Sequence, residues 1–365
     1  MQIYFAEIKD PRHQGYVTHK LSDILTIVMC AVLCGMDKLC DIVAFAQNKT
    51  SFFKENFDIE HIPSKPTLSR VLSVIDGQKV AEVMLTILRE KLGVDGKIVA
   101  VDGKAIRSSS EKGKPHSALQ VITAYLTANG VVLGQEKIHE KTNEIPVFQS
   151  MLEYLNVTKK VVTADAMHCQ RETCAKITER GGDYVLGLKE NQKSLHDDVE
   201  LYFADASSND ELEQFVMVEK NGGRVEKRVC KKIKSAKWLQ ERHEWPGLVT
   251  AFCIERTVST KKKTTKETSY YITSTDESAE KLLCIVREHW MIESMHWMLD
   301  AVFSEDESRF SSDNAHLCMN AFRKVALGLQ KNYIATVKKK CSVKRHLIDC
   351  LLNEQLLLKV IASAK

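Results

Sequence analysis

The chain has 11 cysteines but no Cys-x-x-Cys pair among them, and they are scattered from Cys30 to Cys350. That pattern excludes a zinc ribbon and a secreted disulfide framework, so most of these residues are expected to be small buried apolar groups in a reducing compartment. The opening Met1-Gln2-Ile3-Tyr4-Phe5-Ala6-Glu7 lacks the basic region and apolar run of a signal peptide, which predicts a cytoplasmic location. Within the one long apolar helix, residues 21–36, the uncharged stretch falls short of the ~20 residues that span a bilayer, so it reads as a core helix and no membrane partner is expected. Internal repeats and low-complexity segments are absent. Net charge is small, +4 from 52 Lys and Arg against 48 Asp and Glu, so any grip on a polyanion has to come from local clusters.

Such clusters exist. Lys220, Arg224, Lys227, Arg228, Lys231, Lys232, Lys234 and Lys237 fall in one stretch, and Arg256, Lys261, Lys262, Lys263 and Lys266 in the next. With 365 residues, 44% hydrophobic and 27% charged, the chain can bury a sizeable core and divide into two or three domains. Residues 1–92 read as helical, with periodic apolar runs at 21–36, 39–48, 67–75 and 80–92. Pro63-Ser64-Lys65-Pro66 opens one of these helices. Lys65, Ser69 and Arg70 there either face DNA as a recognition helix or decorate an ordinary capped helix, the preferred reading.

From Gly96 the pattern changes to strands at 98–102, 118–127 and 131–137, the last two joined by the hairpin signal Asn129-Gly130. A helix at 146–155, a strand at 161–165, a helix at 170–180 and a strand at 184–188 follow. Residues 207–275 add further β-type runs, and the chain returns to helix at Ser278. Two of the apolar runs end at Asp102 and Asp165, each followed by a small residue, and Glu293 lies on a later amphipathic helix. Carboxylates on strand ends and a helix are the hard oxygen ligands that two divalent metal ions about 3.5–4 Å apart require. On that helix His289, Glu293, His296, Trp297 and Asp300 share one face, and Met291, Met295, Met298 and Val302 are expected to form the core stripe. A zinc hydrolase built on His289, Glu293 and His296 is disfavoured, because the His-Glu-x-x-His order is missing.

The words around these carboxylates carry more than their spacing. Val101-Asp102-Gly103-Lys104, Thr163-Ala164-Asp165-Ala166-Met167-His168-Cys169-Gln170, the run from Gly181 to Gln192 and the run from His289 to Asp300 occur in this order. Together with Asp10-Pro11-Arg12, Pro63-Ser64 and Phe303-Ser304-Glu305-Asp306, they closely resemble the H-repeat-associated insertion-sequence transposases over nearly the whole chain. The resemblance implies an α/β fold: a ribonuclease-H-like mixed-sheet catalytic core (96–206), an N-terminal helical DNA-binding or assembly domain (1–92), a β-rich insertion (207–275), and a final part (276–365) with the catalytic helix. Asp102, Asp165 and Glu293 would be the catalytic metal ligands, holding two Mg2+ ions, with Mn2+ able to substitute. One ion would lower the pKa of a water, later of a 3′-hydroxyl, and the other would stabilise the leaving oxygen.

The same resemblance implies a homo-oligomeric, nucleoid-associated prokaryotic enzyme that cleaves double-stranded DNA at terminal inverted repeats and joins the ends to target DNA. A related nuclease without strand transfer, or a domesticated copy that only binds DNA, is the alternative. Lys104, His168, Lys189, Asn191, Arg287, His289 and Asp300 are candidates for supporting the ligands or touching DNA. Lys65, Arg70, Arg224, Lys227, Arg228, Lys231 and Lys232 are candidates for DNA binding. Trp238 and Trp245 either stack on an extruded base or anchor the insertion, the second being preferred. Two departures stand out: the family's His before Gly-Arg is replaced in Gly222-Gly223-Arg224, and where the wider superfamily has Tyr, Arg, Glu and Lys this chain has Val286, His289, Glu293 and Asp300.

Overall fold

The computed structural model describes residues 2–110, 118–138, 143–205, 211–338 and 340–362. Six helices come first: α1 (Gln2–Phe5), α2 (Leu21–Leu33), α3 (Leu39–Asn48), α4 (Thr50–Phe57), α5 (Lys65–Val74) and α6 (Gly77–Leu92). Then come β1 (Ile98–Ile106), β2 (Leu119–Leu126), β3 (Val131–Ile138), α7 (Glu144–Tyr154), β4 (Val161–Ala164), α8 (Arg171–Glu179), β5 (Asp183–Leu188) and α9 (Lys193–Ala204). The run β6 (Leu212–Asn221), β7 (Arg224–Ile233), α10 (Lys237–His243), β8 (Thr250–Ser259) and β9 (Thr264–Thr273) precedes α11 (Ala279–Ala301), α12 (Asp313–Thr336), α13 (Val343–Leu352) and α14 (Glu354–Ala362). The expected fold class holds: this is a mixed α/β chain with the strand, strand, strand, helix, strand, helix, strand order of a ribonuclease-H-like core. The expected boundary at 206 and 207 lies outside the described residues.

Contacts gather the chain into two compact units. One comprises 1–95, 103–142 and 293–365, the other 96–102 and 143–292. In the first, α12 is buried along most of its length. Gly328 lets it lie close to α6, because a Cβ there would sit 2.8 Å from Leu88 Cδ1. The hairpin β2–β3 pairs antiparallel and closes at Gly130, whose φ of +73° is the left-handed turn foreseen from Asn129-Gly130. Gly35, φ +80°, ends α2 at Leu33, earlier than apolarity alone suggested. Charged groups are buried here too. Arg323 and Glu305 are fully inaccessible, with Arg323 3.7 Å from Glu305 and 3.6 Å from Asp37. Lys324 donates to Thr123 Oγ1 and Gln135 Oε1, both at 2.9 Å.

In the second unit the opening residues of β1 pair parallel with β4, and β4 parallel with β5. β9 joins β5 antiparallel, and β8, β7 and β6 extend the sheet as antiparallel neighbours. The first turns of α11 cover this sheet: Ala279, Leu282, Leu283 and Ile285 pack with Ile98, Val185, Cys230, Phe252 and Ile254. Eight of the 11 cysteines are buried, as small apolar residues would be. No helix among the described residues is long and apolar enough to cross a membrane.

Burial pushes Lys324 down to about 7, against the opposing pull of Glu305. The unfolded chain keeps the same ammonium charged to about pH 10.4. From about pH 7 to 10 the unfolded state therefore binds the extra proton, and stability gains up to about 1.4 kcal/mol per pH unit from this group. Urea unfolding at pH 7 and pH 9 should show a larger gain in the parent chain than in Lys324→Met. Equal gains would mean that Lys324 stays charged.

Candidate active site

The register Val101↔Ala164 sets Asp102 and Asp165 next to one another on adjacent parallel strands, and such strands lie about 4.8 Å apart. β4 stops at Ala164, whereas β1 runs on to Ile106, so Asp102 lies within the strand rather than at its end, where the sequence placed it. Asp165 precedes a short 3-10 turn without capping it through its side chain. Its carboxylate, 73% exposed, is therefore held out to solvent and not spent on local structure.

Several neighbours hold the Asp165 turn. Gly187 on β5 lets the backbone approach, since a Cβ there would lie 3.2 Å from Ala166 N. Asn191 Nδ2 donates to Ala166 O at 2.8 Å, and Gln192 Nε2 to Cys169 O at 3.0 Å. The Lys189-Glu190-Asn191-Gln192 word thus supports the strand end beside it, and Gly187 is a contributor that sequence reading missed. His168 is buried against the Phe148 ring with Nε2 3.5 Å from Glu144, which leaves it a structural neighbour of Asp165 out of reach of a DNA backbone. A cavity of about 650 Å³ opens next to Asp165, with the exposed Lys189 and Asn191 on its wall.

From α11, His289 faces this pair. Its Nδ1 shares a hydrogen bond with Thr163 Oγ1 at 3.0 Å, and its Nε2 lies 3.8 Å from Asp165 Oδ1. Burial lowers its pKa, against Asp165 and Asp102, which raise it. Two carboxylates side by side are a donor set suited to a hard divalent cation.

Glu293 follows His289 by four residues along the same helix and is exposed. In its own unit the Glu293 carboxylate and the His296 ring bring ligand atoms within 4.8 Å of one another. The exposed indoles of Trp290 and Trp297, 62% and 65% accessible, stand one turn to either side. The expected methionine stripe holds only in part: Met295 is buried, but Met291 is exposed and Met298 and Val302 are half-buried, while Leu282, Ile285, Ile292 and Leu299 are buried with Met295. Leu and Ile at three- and four-residue spacing set the buried face, which takes in Met295 and leaves Met291 and Met298 at or beyond its edge.

Lys104 Nζ lies 2.8 Å from Asp300, 3.2 Å from Glu305 and 3.7 Å from Asp306. Arg287 bonds Glu219 at 2.8 Å. Of the DNA-binding candidates, Arg224 pairs with Glu226, Arg228 with Glu219 and Glu226, and Lys231 with Glu255. Lys232 is buried against Asp276. Lys227, Lys65 and Arg70 are exposed and outside these pairs. Lys65 and Arg70 sit on α5, which Ser64 caps by accepting from Thr67 N, with Leu68, Val71 and Leu72 turned inward. Trp245 is buried and donates to Cys174 Sγ, and Trp238 stacks on Tyr202, so both indoles anchor the protein itself.

Residues 93–329 match the family described as "Transposase DDE domain", and residues 3–87 the one described as "DDE_Tnp_1-associated". The chain is 36% identical to "Putative transposase YncI" of Escherichia coli O157:H7 over 90% of its own length and 86% of that protein's. It is 33% identical to "H repeat-associated putative transposase YhhI" of Escherichia coli K12 over 90% and 89% of the two lengths. A solved structure of piggyBac transposase in a synaptic complex with hairpin DNA is similar at 11% identity and a TM-score of 0.44, covering 98% of this chain and 77% of that one. The chain belongs to the DDE transposase family, with H repeat-associated transposases among its relatives.

Proposed function

We propose that this transposase binds double-stranded DNA at terminal inverted repeats, cleaves there and joins the ends to target DNA as a homo-oligomer on the bacterial nucleoid. In this reading Asp102, Asp165 and Glu293 are the metal ligands, for two Mg2+ ions or Mn2+ in their place. The observation that carries it is the β1–β4 register, which sets two carboxylates side by side with neither used as a turn or cap. Bound divalent ions would supply Lewis acidity for in-line attack on a phosphodiester. The chain's own residues do the rest: Thr163 orients His289, Gly187 and Asn191 hold the Asp165 turn, and Lys189 offers a cation beside the scissile phosphate. Residues 1–92 act as the DNA-binding or assembly part, with Lys65 and Arg70 outward. Residues 96–206 and 276–365 form the catalytic core, and 207–275 the insertion.

The insertion supplies the phosphate grip at its hairpin tips. The register Val225↔Ser259 brings the β6–β7 turn, with Gly222 and Gly223, and the β8–β9 turn to one end of the sheet. There Lys220, Lys227, Lys261, Lys262, Lys263 and Lys266 are exposed. A phosphate would have to displace carboxylates to reach Arg224, Arg228, Lys231 or Lys232, whereas the tip lysines meet it directly.

Asp102→Asn, Asp165→Asn and Glu293→Gln should each lower Mg2+-dependent cleavage by more than the about 10–100-fold that loss of a supporting residue costs. Thermal unfolding without metal should stay level or shift upward as carboxylate repulsion is relieved. Any of the three that keeps parental cleavage is not a ligand. Joined products on a target plasmid separate transposition from simple nuclease action. Replacing Lys227, Lys261, Lys262 and Lys263 with Gln should weaken binding to specific and random duplexes alike, and flatten the slope of log affinity against log salt by about 0.9 for each phosphate no longer neutralised. An unchanged slope would move the DNA path to α5 around Lys65 and Arg70.

A further inference from the structure

We propose that Lys104 is a positioning residue for the metal ligands: by its ion pair with Asp300 it locks β1, which carries Asp102, to α11, which carries Glu293. The inference rests on the reading that Asp102 and Glu293 hold metal. In a strand, residues two apart point the same way, so Lys104 shares a face with Asp102. On a helix, residues seven apart return to the same face after two turns, so Asp300 shares a face with Glu293. The 2.8 Å bond from Lys104 Nζ to Asp300 Oδ1 therefore joins β1 two residues beyond Asp102 to α11 two turns beyond Glu293.

The pair has a rigid backing. Lys104 also lies 3.2 Å from Glu305 Oε2, and Glu305 is fully buried, accepting from Asn320 Nδ2 at 2.8 Å with Arg323 3.7 Å away. Asn320 and Arg323 belong to α12, so the ammonium that ties the strand to the helix is backed, through Glu305, by the buried α12. A role as a DNA contact fits Lys104 poorly. Its side chain is 11% exposed and faces three carboxylates, from Asp300, Glu305 and Asp306, all of which would repel a phosphate. Supporting bonds of this kind orient ligands, and their loss typically costs about 10–100-fold in metal affinity.

The test titrates the full chain with Mn2+ and reads free Mn2+ by electron paramagnetic resonance, in the parent, Asp300→Asn, Lys104→Met, the double variant and Lys104→Arg. Asp300 is half-buried, so its isosteric change preserves the fold even if Lys104→Met, which strips Glu305 of a partner, does not. Expected are about 10–100-fold weaker Mn2+ binding in each single variant, no further weakening in the double, since one pair is broken once, and partial recovery in Lys104→Arg. Affinity for an inverted-repeat duplex in EDTA should stay at the parental value. Unchanged Mn2+ affinity in Asp300→Asn, additive effects in the double, or weaker DNA binding in EDTA would each overturn the proposal. Asp102→Asn and Glu293→Gln run beside these variants: if they keep parental Mn2+ affinity the metal reading itself fails, and if they lose it while Asp300→Asn does not, only the positioning role fails.

Discussion

Parallel pairing of β1 with β4 is the constraint on which the candidate site depends. Backbone hydrogen bonds fix the register, and the register fixes which side chains become neighbours, so Asp102 and Asp165 meet although 62 residues of chain separate them. Two carboxylates held this close repel one another unless a cation or proton intervenes. His289 faces them, and burial works against a charge on its ring while the two carboxylates favour one.

Elsewhere the molecule confines its charges. In the insertion, Glu226 pairs with Arg224, Arg228 and Arg256, and these residues lie across β7 and β8, where cross-strand pairs stabilise a sheet. Arg323, Glu305 and Asp37 do the same under cover, where a lone buried charge would cost several kcal/mol. Against this economy of pairing, the exposed lysines at the hairpin tips stand out as cations available to a polyanion.

Much of this was legible before folding. The strands leading to Asp102 and Asp165, the hairpin at Asn129-Gly130 and the strand and helix order from 98 to 188 follow from local periodicity and turn chemistry, and the structure keeps them, though β1 runs past Asp102 to Ile106. What escaped depends on neighbours distant in sequence. Whether Lys231 or Lys232 is a free cation depends on Glu255 and Asp276, which a lysine count cannot see. Gly187 looks like a weak point in a strand until Ala166 is found against it. The methionines of α11 looked like core because they are apolar and spaced helically, and Met295 is, but Leu and Ile at 282, 285, 292 and 299 set the buried face and leave Met291 outside it. The tryptophans beside the basic cluster are internal anchors, and the accessible ones flank Glu293 instead.

The central claim is that Asp102, Asp165 and Glu293 bind the catalytic metal. Anomalous diffraction from crystals of the full chain with inverted-repeat DNA and Mn2+ tests it most directly. The account predicts Mn2+ peaks within coordination distance of all three carboxylates. Peaks that leave out Asp102 or Asp165, or that fall only at other acidic groups, would contradict it.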